Sequence, residues 1–450
     1  MRSDWKVVTV EQLAGQRPAS LATGPFGSSI SSRHFTENGV PVIRGSNLSA
    51  DVSIRLDDEG LVFVSPQKAH EFRRSVARRG DLVFTCWGTI NQVGLIDETA
   101  KFDEYIVSNK QMKLTVDPEK ADARFLYYVF SSPQKQREIL ENGIGSSVPG
   151  FNLGQLKGHE LLLPPLPEQR AIAGCLKLFD DRIDLLRQTN ATLESIAQAI
   201  FKSWFIDFDP VRAKEEGREL DGMNAATAAL FPAEFEESAL GLIPKGWRAV
   251  PFTDTVHVLG GGTPKTTVSD YWGGETPWFS VVDAPSPGQV FTFSTEKTVT
   301  AAGLQNSSTR LLPAWTTIIS ARGTIGKLAM CGCPMAMNQS CYGLRPKLDG
   351  TEHLVYLSAQ RLVVDLKRLA HGGVFDTITK QTLSSVTTVQ ATAAVELAFA
   401  ELTRPFFEQI GIGVSRIATL VALRDSLLPR LISGTLCLPS VMGQLEGAIA

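Results

Sequence analysis

Two stretches of the chain carry apolar residues in steps of three and four, a pattern that predicts long helices which pair with each other. The first stretch lies between residues 172 and 204 and keeps a seven-residue spacing throughout. Such a spacing is typical of coiled coils, in which one apolar stripe faces a partner helix. The residues predicted to pack in the helix pair are Ile172, Leu176, Phe179, Ile183, Leu186, Asn190, Leu193, Ile200 and Trp204.

The second stretch repeats the first one 227 residues later, but less regularly. Pro405 lacks a backbone donor and is predicted to kink or begin this helix, while Gly411 and Gly413 weaken its middle. Two matched stripes in one chain predict an antiparallel pair, in which Asn190 is a buried polar residue that sets the register. The alternative is that each helix packs only on its own domain. The predicted packing residues of the second helix are Phe406, Ile410, Ile417, Leu420, Leu427 and Leu431.

Similarity between the two halves extends beyond these helices. The matches occur in the same order in both halves, and their offset drifts slowly, as loop insertions would cause. A repeat of this length indicates a duplicated domain, so both halves are predicted to have the same function. The matched segments include Ala191-Thr192-Leu193 with Ala418-Thr419-Leu420, Phe125-Leu126-Tyr127 with Leu354-Val355-Tyr356, Gly88-Thr89-Ile90 with Gly323-Thr324-Ile325, Asp4-Trp5-Lys6 with Gly246-Trp247-Arg248, Asn109 with Asn338, and Gly143 with Gly372.

Short runs of β-type residues, bounded by glycine and proline, fill the rest of each half. One further helix is predicted in each half, near residues 125–140 and 353–369. The predicted fold class is therefore α/β (α+β): two similar globular domains, separated by two long helices that form an antiparallel coiled coil, with pseudo-twofold symmetry. The expected segments are a first domain at 1–163, a central helix at 164–206, a polar connector at 207–244, a second domain at 245–391, a C-terminal helix at 392–436 and a tail at 437–450.

The amino-acid composition is typical of a folded globular protein, and the length of the chain predicts more than one domain. The chain has 450 residues, of which 43% are hydrophobic and 20% are charged. The formal net charge of −3 gives no basic signature, so binding to nucleic acid would require local basic faces. The N-terminus lacks the apolar core of a signal peptide, and no run of about 18 apolar residues occurs. A cytoplasmic protein without a membrane span is therefore expected.

The sequence carries no motif for catalysis or for a bound metal. Cys331, Cys333 and Cys341 lie near each other but lack the paired spacing and histidine partners of a zinc site. The six histidines are scattered, without a neighbouring Ser or Cys constellation. Neither an Asn-Pro-Pro-aromatic methyltransferase motif nor a Walker A sequence occurs, and the glycines at 260–262 do not form a dinucleotide fingerprint. We therefore expect no metal, no cofactor and no catalytic residue in this chain.

Short motifs follow one another in order along essentially the whole chain. They are Leu163-Pro-Pro-Leu-Pro-Glu-Gln-Arg170, Ala229-Leu-Phe-Pro-Ala-Glu-Phe-Glu-Glu-Ser238 followed by Leu242-Ile-Pro-Lys-Gly-Trp247, Gly261-Gly-Thr-Pro264 leading to Tyr271-Trp272, Arg322-Gly-Thr-Ile-Gly326, and Met337-Asn-Gln339. In their order and spacing these motifs resemble those of the DNA sequence specificity subunits of Type I restriction-modification enzymes. The first domain departs from the pattern, because it has Cys86-Trp-Gly-Thr-Ile-Asn91 in place of Arg-Gly-Thr-Ile-Gly. The second long helix lacks a proline-rich entry and has Gln390-Ala-Thr-Ala393 there.

The resemblance implies two target recognition domains, each of which reads one half of a bipartite, asymmetric site on double-stranded DNA. It also implies two modification subunits that bring S-adenosylmethionine and methylate adenine, and restriction subunits that bring ATP-driven translocation and cleavage. Catalysis and cofactors would then belong to the partner subunits, and this chain would be non-catalytic. The first helical stretch, roughly 50 Å long, would act as a ruler of about 15 base pairs between the half-sites.

Loop residues with long polar side chains are the candidates for contact with DNA. Arginine, asparagine and glutamine can bridge base edges, while lysine mainly holds phosphate. The alternative for each residue is an ordinary solvated side chain, and Asn338 and Gln339 are expected to stabilise a turn instead. The candidates in the first domain are Arg33, Arg44, Asn47, Asn91 and Gln92, with Arg73 and Arg74 from a basic run that also includes Arg78 and Arg79. The candidates in the second domain are Lys265, Thr266, Arg322 and Lys327.

Two other classes of function remain open at the level of the sequence. The first is a stand-alone regulatory or antirestriction DNA-binding protein with the same two-domain architecture, which would not co-purify with a methyltransferase. The second is an enzyme, such as a nuclease or a glycosidase, with carboxylates among its loops, which would show turnover by the isolated chain.

Overall fold

The chain forms two compact units, and the division between them falls within both long helices. The computed structural model describes residues 4–27, 29–145, 149–286, 288–369 and 377–436. Unit 1 comprises Met1–Asp184 and Thr419–Ala450, and unit 2 comprises Leu185–Ala418. The tail expected at 437–450, His371 and the expected match at Gly372 lie outside the described residues.

Unit 1 combines short strands with short helices and with the first half of one long helix. The strands are β1 (Lys6–Thr9), β2 (Leu21–Thr23), β3 (Phe35–Thr36), β4 (Val40–Ile43), β5 (Val62–Val64), β6 (Val76–Arg78), β7 (Asp81–Thr85), β8 (Val93–Leu95), β9 (Glu104–Val107), β10 (Gln111–Thr115) and β11 (Glu160–Leu163). The helices are α1 (Val10–Leu13), α2 (Pro66–Glu71), α3 (Ala123–Ser131), α4 (Pro133–Glu141), α5 (Leu153–Gly158) and α6 (Leu166–Phe205), and α6 continues into unit 2.

Unit 2 has a similar make-up and ends in the other long helix. The strands are β12 (Phe235–Ser238), β13 (Gly241–Pro244), β14 (Arg248–Pro251), β15 (Val256–Gly260), β16 (Trp272–Phe279), β17 (Phe291–Thr292), β18 (Thr298–Val299), β19 (Thr317–Ser320), β20 (Leu328–Cys331), β21 (Ala336–Met337), β22 (Cys341–Pro346) and β23 (Thr387–Gln390). The helices are α7 (Asp209–Glu215), α8 (Ala225–Ala229), α9 (Ala301–Gln305), α10 (Glu352–Leu369), α11 (Lys380–Ser384) and α12 (Ala393–Ile432), whose last part belongs to unit 1.

The two globular domains share one sheet topology. In unit 1 the strands of an antiparallel sheet have the order β2-β10-β7-β8, and in unit 2 the order is β15-β22-β19-β20, with β17 added at the edge. The pair β14–β23 corresponds in the same way to β1–β11, and α10 follows its sheet as α3 and α4 follow theirs. The predicted pair of similar α/β domains is therefore confirmed.

The core of each unit joins its sheet to the long helices. In unit 1 one cluster of buried side chains includes Phe84 from β7, Phe125 from α3, Leu176 from α6 and Leu428 from α12. In unit 2 the corresponding cluster contains aromatic residues from α6 and α12, and includes Trp247 just before β14. Because the same helices close both cores, each domain is anchored on a helix pair.

Two local expectations differ from the structure. A single helix was expected over residues 125–140, but Ser132 ends α3 and caps α4, with Pro133 in the first turn of the new helix. The stretch 207–244 was expected to be a polar connector. It instead contains α7, α8 and the hairpin β12–β13, and it buries Phe208, Phe231 and Ile243 in the core of unit 2.

Within each unit, α6 and α12 pair in antiparallel orientation. In unit 1, Asp180 of α6 accepts a hydrogen bond of 2.8 Å from Arg424, near the end of α12. In unit 2, Phe205 at the end of α6 contacts Phe399 near the start of α12, with ring centroids 5.1 Å apart. The predicted pairing of the helices is therefore confirmed. Of the predicted packing residues, the structure buries Ile172, Leu176, Phe179, Ile183, Asn190, Trp204, Ile410, Ile417 and Leu431, and half-buries Leu186, Leu193, Ile200, Phe406, Leu420 and Leu427.

Proline and glycine act differently in α12 from what the sequence suggested. The helix runs unbroken from Ala393 to Ile432, so Pro405 does not begin it, while the alternative of a kink at Pro405 stays a prediction. Buried Phe399 and Phe407 flank the proline, and their packing offsets the backbone bond that proline cannot make. Gly413 leaves room for Asn190, because a Cβ at position 413 would lie 2.3 Å from the Asn190 side-chain oxygen. The glycine that weakens the helix by its propensity thus admits the buried polar residue.

In the described part of the chain, α12 is also the one helix that is long and apolar enough to cross a membrane by length and composition. Its most apolar 18-residue window has a mean hydropathy of 1.4. Helices that pack inside proteins pass the same test, and in α12 22% of this window is buried, while Phe399 and Ile410 belong to one core and Leu431 to the other. Length and composition alone therefore give only a weak indication of a membrane span.

The proline-rich entry of α6 ties the helix to the first domain. Gln169 is buried and donates a hydrogen bond of 2.8 Å to the Pro164 carbonyl. Its side-chain oxygen accepts one of 2.9 Å from the backbone N–H of Asp122, the residue that caps α3. One glutamine side chain thus connects the starts of two helices, which gives the Pro-Pro-Leu-Pro-Glu-Gln motif a structural role.

His353 of α10 is buried against α12 and should make unit 2 sensitive to acid. Its Nε2 lies 3.1 Å from the Ala400 carbonyl, while Nδ1 is buried without a partner among the described residues. Burial, and after it Arg404, lower the pKa of His353 from 6.5 to about 4. Since the unfolded chain binds this proton more readily, stability is complete above pH 6.5 and is lost as the pH falls toward 4, by roughly 3 kcal/mol.

This pH effect can be measured as the difference between two proteins. The unfolding free energy of the wild type should fall more steeply between pH 6.5 and 4 than that of His353→Gln. His257→Gln serves as the control, because His257 is exposed. Equal slopes for wild type and His353→Gln would contradict the prediction.

Candidate nucleic-acid interface

In the first domain, the turn between β7 and β8 presents an exposed aromatic side chain. Cys86 donates its backbone N–H to the Lys110 carbonyl at 2.6 Å and accepts at its carbonyl from Phe151 N at 2.8 Å. These two bonds fix the base of the turn. Gly88, with a φ of 94°, allows the chain to reverse. Trp87 lies at the tip and is 47% exposed.

The turn between β19 and β20 repeats this framework in the second domain. Ala321 donates its N–H to the Ser340 carbonyl at 2.7 Å and accepts from Ile378 N at 2.8 Å. Gly323 has a φ of 75°. Arg322 occupies the position that Trp87 holds in the first domain, and it is exposed. The two domains therefore present different side chains on the same scaffold.

A second loop approaches each turn through a glycine. A Cβ on Gly24 would lie 1.8 Å from the Ser108 carbonyl oxygen, and a Cβ on Gly261 would lie 2.0 Å from the Asn338 carbonyl oxygen. At both glycines the backbones of the two loops are in direct contact, so there is no room for a side chain and only glycine fits. The equivalence makes Ser108 the counterpart of Asn338, and the predicted match with Asn109 is wrong by one residue, because the loops before the two positions differ in length.

An open cleft of about 620 Å³ lies beside the first-domain turn. Arg44 and Lys110 supply positive charge, and no aspartate or glutamate occurs among its described lining residues. Gln92, Trp87 and Gln111 also line it. The cleft thus brings together two residues predicted to contact DNA, Arg44 and Gln92.

The remaining predicted residues are mostly exposed but are not gathered at one point. Asn47 is the exception, since it is fully buried and its side chain bonds to Arg44 N, to the Asp57 carbonyl and to the Glu59 carbonyl. A saturated, buried amide is not available to a base, so this prediction is wrong. The exposed candidates are Arg33, Arg73, Arg74, Lys265, Thr266, Arg322 and Lys327, and Asn91 is half-buried.

Part of the basic run serves the fold of the first domain. Arg78 pairs with Glu104, with an N–O distance of 2.6 Å. Arg79 pairs with Asp103 at 3.2 Å and also donates to backbone carbonyls. In the second domain the Asn338 side chain accepts from Ser340 N at 3.0 Å, so it stabilises a turn as expected.

The aromatic residues of this surface, Phe26 and Trp87, are not among the residues that the sequence predicts to contact DNA. Phe26 follows Gly24-Pro25 and is 87% exposed. The residue after Phe26 is Gly27, whose carbonyl accepts a hydrogen bond of 2.9 Å from the Asn109 side chain. Trp87 was noted only as a departure from a motif. An aromatic residue next to a glycine turn is a signal that could have identified both, because such turns lie on the surface.

The cysteines form no metal centre in the described part of the chain, where no group of three or more His, Cys, Asp or Glu side chains could hold a metal ion. Burial raises the pKa of the Cys86 thiol to about 12. The Cys86 side chain, although it lies in the turn, therefore acts as a small apolar group.

Both turns lie in regions that match one known family. A family model described as "Type I restriction modification DNA specificity domain" matches residues 25–195 and 244–387. The chain is 26% identical over 376 residues to the Type I restriction enzyme HindI specificity subunit of Haemophilus influenzae, an alignment that covers 74% of this chain and 81% of that protein.

Other relatives agree with this match. The chain is 32% identical over 159 residues to the Type I restriction enzyme MjaIX specificity subunit of Methanocaldococcus jannaschii, which covers 35% of this chain and 37% of that protein. Among solved structures, the S subunit of a Type-I restriction-modification system from M. genitalium has a TM-score of 0.56 at 14% identity and covers 96% of each chain. That likeness shows a shared fold.

Proposed function

We propose that this chain, which belongs to the family of Type I restriction-modification DNA specificity subunits, selects the DNA sequence on which its partner subunits act. The observation that carries the proposal is that the family match includes both domains, and that both present a turn with the same backbone framework. Different side chains on one scaffold are what a reader of two unlike half-sites requires.

In this proposal each domain reads one half of a bipartite site on double-stranded DNA. The exposed Arg322 and Lys327 of the second domain have the chemistry to bind base edges and phosphates. Neutralised phosphates supply much of the affinity, so binding weakens as salt rises. The 40 residues of α6 correspond to roughly 60 Å of helix, a length suited to setting the spacer between the half-sites.

Domain exchange tests this division of labour. Replacing residues 1–163 by the corresponding domain of a relative is expected to change one half of the methylated DNA motif and to leave the other half unchanged. The graft should retain Arg55 and Tyr128, which contact Asp180 of α6, and Asp97, which pairs with Arg55. The readout is methylome sequencing of a host that carries the complete complex.

The reciprocal exchange is the matched control. Replacing residues 245–391 should change the other half of the motif only. A change in both halves, or in neither, would contradict the proposal that the domains read separately.

Two modification subunits, which bring S-adenosylmethionine, and restriction subunits, which use ATP, are the proposed protein partners. The long helices support this part, because they expose apolar side chains at duplicated positions. Leu185 corresponds to Ile412 and Ile196 to Leu423, and all four are between 41% and 51% exposed. Duplicated apolar patches suit two copies of one partner. In this proposal the chain itself is non-catalytic, binds no cofactor and acts in the cytoplasm without a membrane anchor.

Co-purification distinguishes this proposal from a stand-alone DNA-binding protein. The chain is expected to co-purify with its methyltransferase in a ratio of one to two, as measured by mass spectrometry of the intact complex. The relatives are named as specificity subunits of restriction enzymes, which favours the complex over the stand-alone alternative.

A further inference from the structure

The cleft of the first domain contains polar atoms that the fold leaves without partners. Gln111 is fully buried and Thr85 is 3% exposed, and both line the cleft. Gln111 Nε2, Thr85 Oγ1 and Arg44 Nε have no hydrogen-bond partner among the described residues. A buried polar atom without a partner typically costs about 1–3 kcal/mol, so three around one cleft are a substantial cost unless a ligand binds them.

Neighbouring bonds hold these side chains in place. The Ser108 hydroxyl donates to Gln111 Oε1, which leaves the amide nitrogen as the free group. That nitrogen lies near Gly45, another lining residue, where a Cβ would be 3.6 Å from it. Arg44 donates from Nη2 to the Gly60 carbonyl at 2.9 Å, and its Nε remains free. The free donors are thus fixed before any ligand arrives.

The second domain shows that the fold does not require these unpaired atoms. Ser320 holds the position of Thr85, but its hydroxyl donates to the Thr324 carbonyl at 2.6 Å and accepts from Lys327 N at 2.8 Å. Cys341 holds the position of Gln111, since it pairs with Ser320 as Gln111 pairs with Thr85. At these two positions, unpaired polar groups therefore occur in the first domain and not in the described part of the second.

We propose that this cleft binds one backbone phosphate of DNA at the first half-site, an inference that rests on the proposed function. The lining residues Gln111, Arg44 and Thr85 carry two unpaired N–H groups and one unpaired hydroxyl, Lys110 adds a second positive charge to that of Arg44, and the described lining contains no carboxylate. This set matches the oxygen atoms of a phosphodiester. Phosphates project from a duplex, whereas base edges lie inside its grooves, so a recessed site reaches phosphate first.

Trp87 forms part of the same site. Its ring lies against Gly150, where a Cβ would come within 2.6 Å of the ring atoms, and the side chain remains 47% exposed. The ring therefore has one supported side, and its exposed part can pack on the sugar next to the bound phosphate. The site would fix the position of the first domain along the DNA without reading a base.

The test uses variants that remove the free groups but keep the shape of the side chains. In the complete methyltransferase complex, Thr85→Val and Gln111→Met should each weaken binding about 10-fold to a duplex that carries the methylated motif. The loss should be the same for duplexes altered at any single position of the motif. Thr85→Val should also leave thermal stability equal or higher, because a methyl group replaces an unpaired buried hydroxyl.

Thr317→Val is the matched control, because Thr317 is buried in the second domain, does not line the cleft and has a hydroxyl without a partner among the residues that the structure describes. This variant should keep wild-type DNA affinity. Arg44→Gln should lower the slope of log affinity against log salt by about 1.

Four outcomes would overturn the inference. If Thr85→Val and Gln111→Met bind the duplex like the wild type, the cleft has no role in DNA binding, although the proposed function stands. If affinity falls only for one base pair of the motif, the cleft reads a base. If inorganic phosphate raises the melting temperature of the wild type but not of the variants while DNA affinity is unchanged, the site serves a free anion. If the wild-type complex prefers no sequence, the proposed function fails first.

Discussion

Replacing Asp180 by asparagine is expected to destabilise unit 1 by about 3–5 kcal/mol. Asp180 is fully buried, accepts from Arg424 Nη1 at 2.8 Å and pairs with Arg55 Nη2 at 3.4 Å. Tyr128 also donates to it. Asparagine keeps the size of the side chain but removes the charge, so both guanidinium groups would lose a buried counter-ion. Burial alone would lower the pKa of Arg55, but Tyr128, Asp97 and Asp180 together raise it, so the guanidinium stays charged.

The adjacent residue provides the control for this variant. Asp181→Asn changes a carboxylate that is 44% exposed, that pairs with Lys177 at 2.6 Å on the surface of α6 and that lies 4.0 Å from Arg55, farther than Asp180. Its effect should be below about 0.5 kcal/mol. Urea denaturation, together with hydrogen exchange of the α3 amides, measures the stability of unit 1. Equal effects of Asp180→Asn and Asp181→Asn would show that the buried ion pairs do not stabilise the domain.

Replacing Gly261 by alanine is expected to cost about 3 kcal/mol and to disable the second half-site. The new Cβ would lie 2.0 Å from the Asn338 carbonyl oxygen, and since that neighbour is backbone, one of the two loops must move. Gly24→Ala should do the same to the first domain, where the distance to the Ser108 carbonyl oxygen is 1.8 Å. DNA binding by the complete complex should fall at least 10-fold in each variant.

Gly260→Ala controls for the change of residue type next to Gly261. A Cβ on Gly260 meets nothing within 4 Å in the described part of the chain, so its effect on stability and binding should be small. Footprinting of the bound complex shows which half-site is lost. If Gly261→Ala bound like Gly260→Ala, the close approach of the two loops would be unimportant for the interface.

The sequence predicted the long helices and the duplication well, because both depend on repeated patterns. The spacing of Ile172, Leu176 and Phe179 marks the buried face of α6, and all three are buried. Matches such as Gly88 with Gly323 reflect a turn that needs a positive φ in both domains. Patterns of this kind follow from local geometry, and local geometry is what a sequence displays most directly.

The candidate site was harder to predict, because its residues meet only in the folded chain. Gln111 begins a strand and Thr85 ends another, and nothing in either segment indicates that both side chains stay unpaired beside Arg44. Asn47 is of a residue type that can bind a base edge, but its side-chain N–H groups donate instead to the Asp57 and Glu59 carbonyls of its own loop. Residue type alone therefore overstates how many polar side chains are available to DNA.

The way unit 1 is assembled from both ends of the chain has a consequence for synthesis. Leu176 leaves the ribosome about 250 residues before Leu428, with which it shares a core. At roughly 5–20 residues per second, the first domain must wait for on the order of 10–50 seconds before its core can close. During this interval Asp180 also lacks Arg424. The nascent chain would thus expose the apolar face of α6 for most of translation. We therefore expect chaperones to bind it during synthesis.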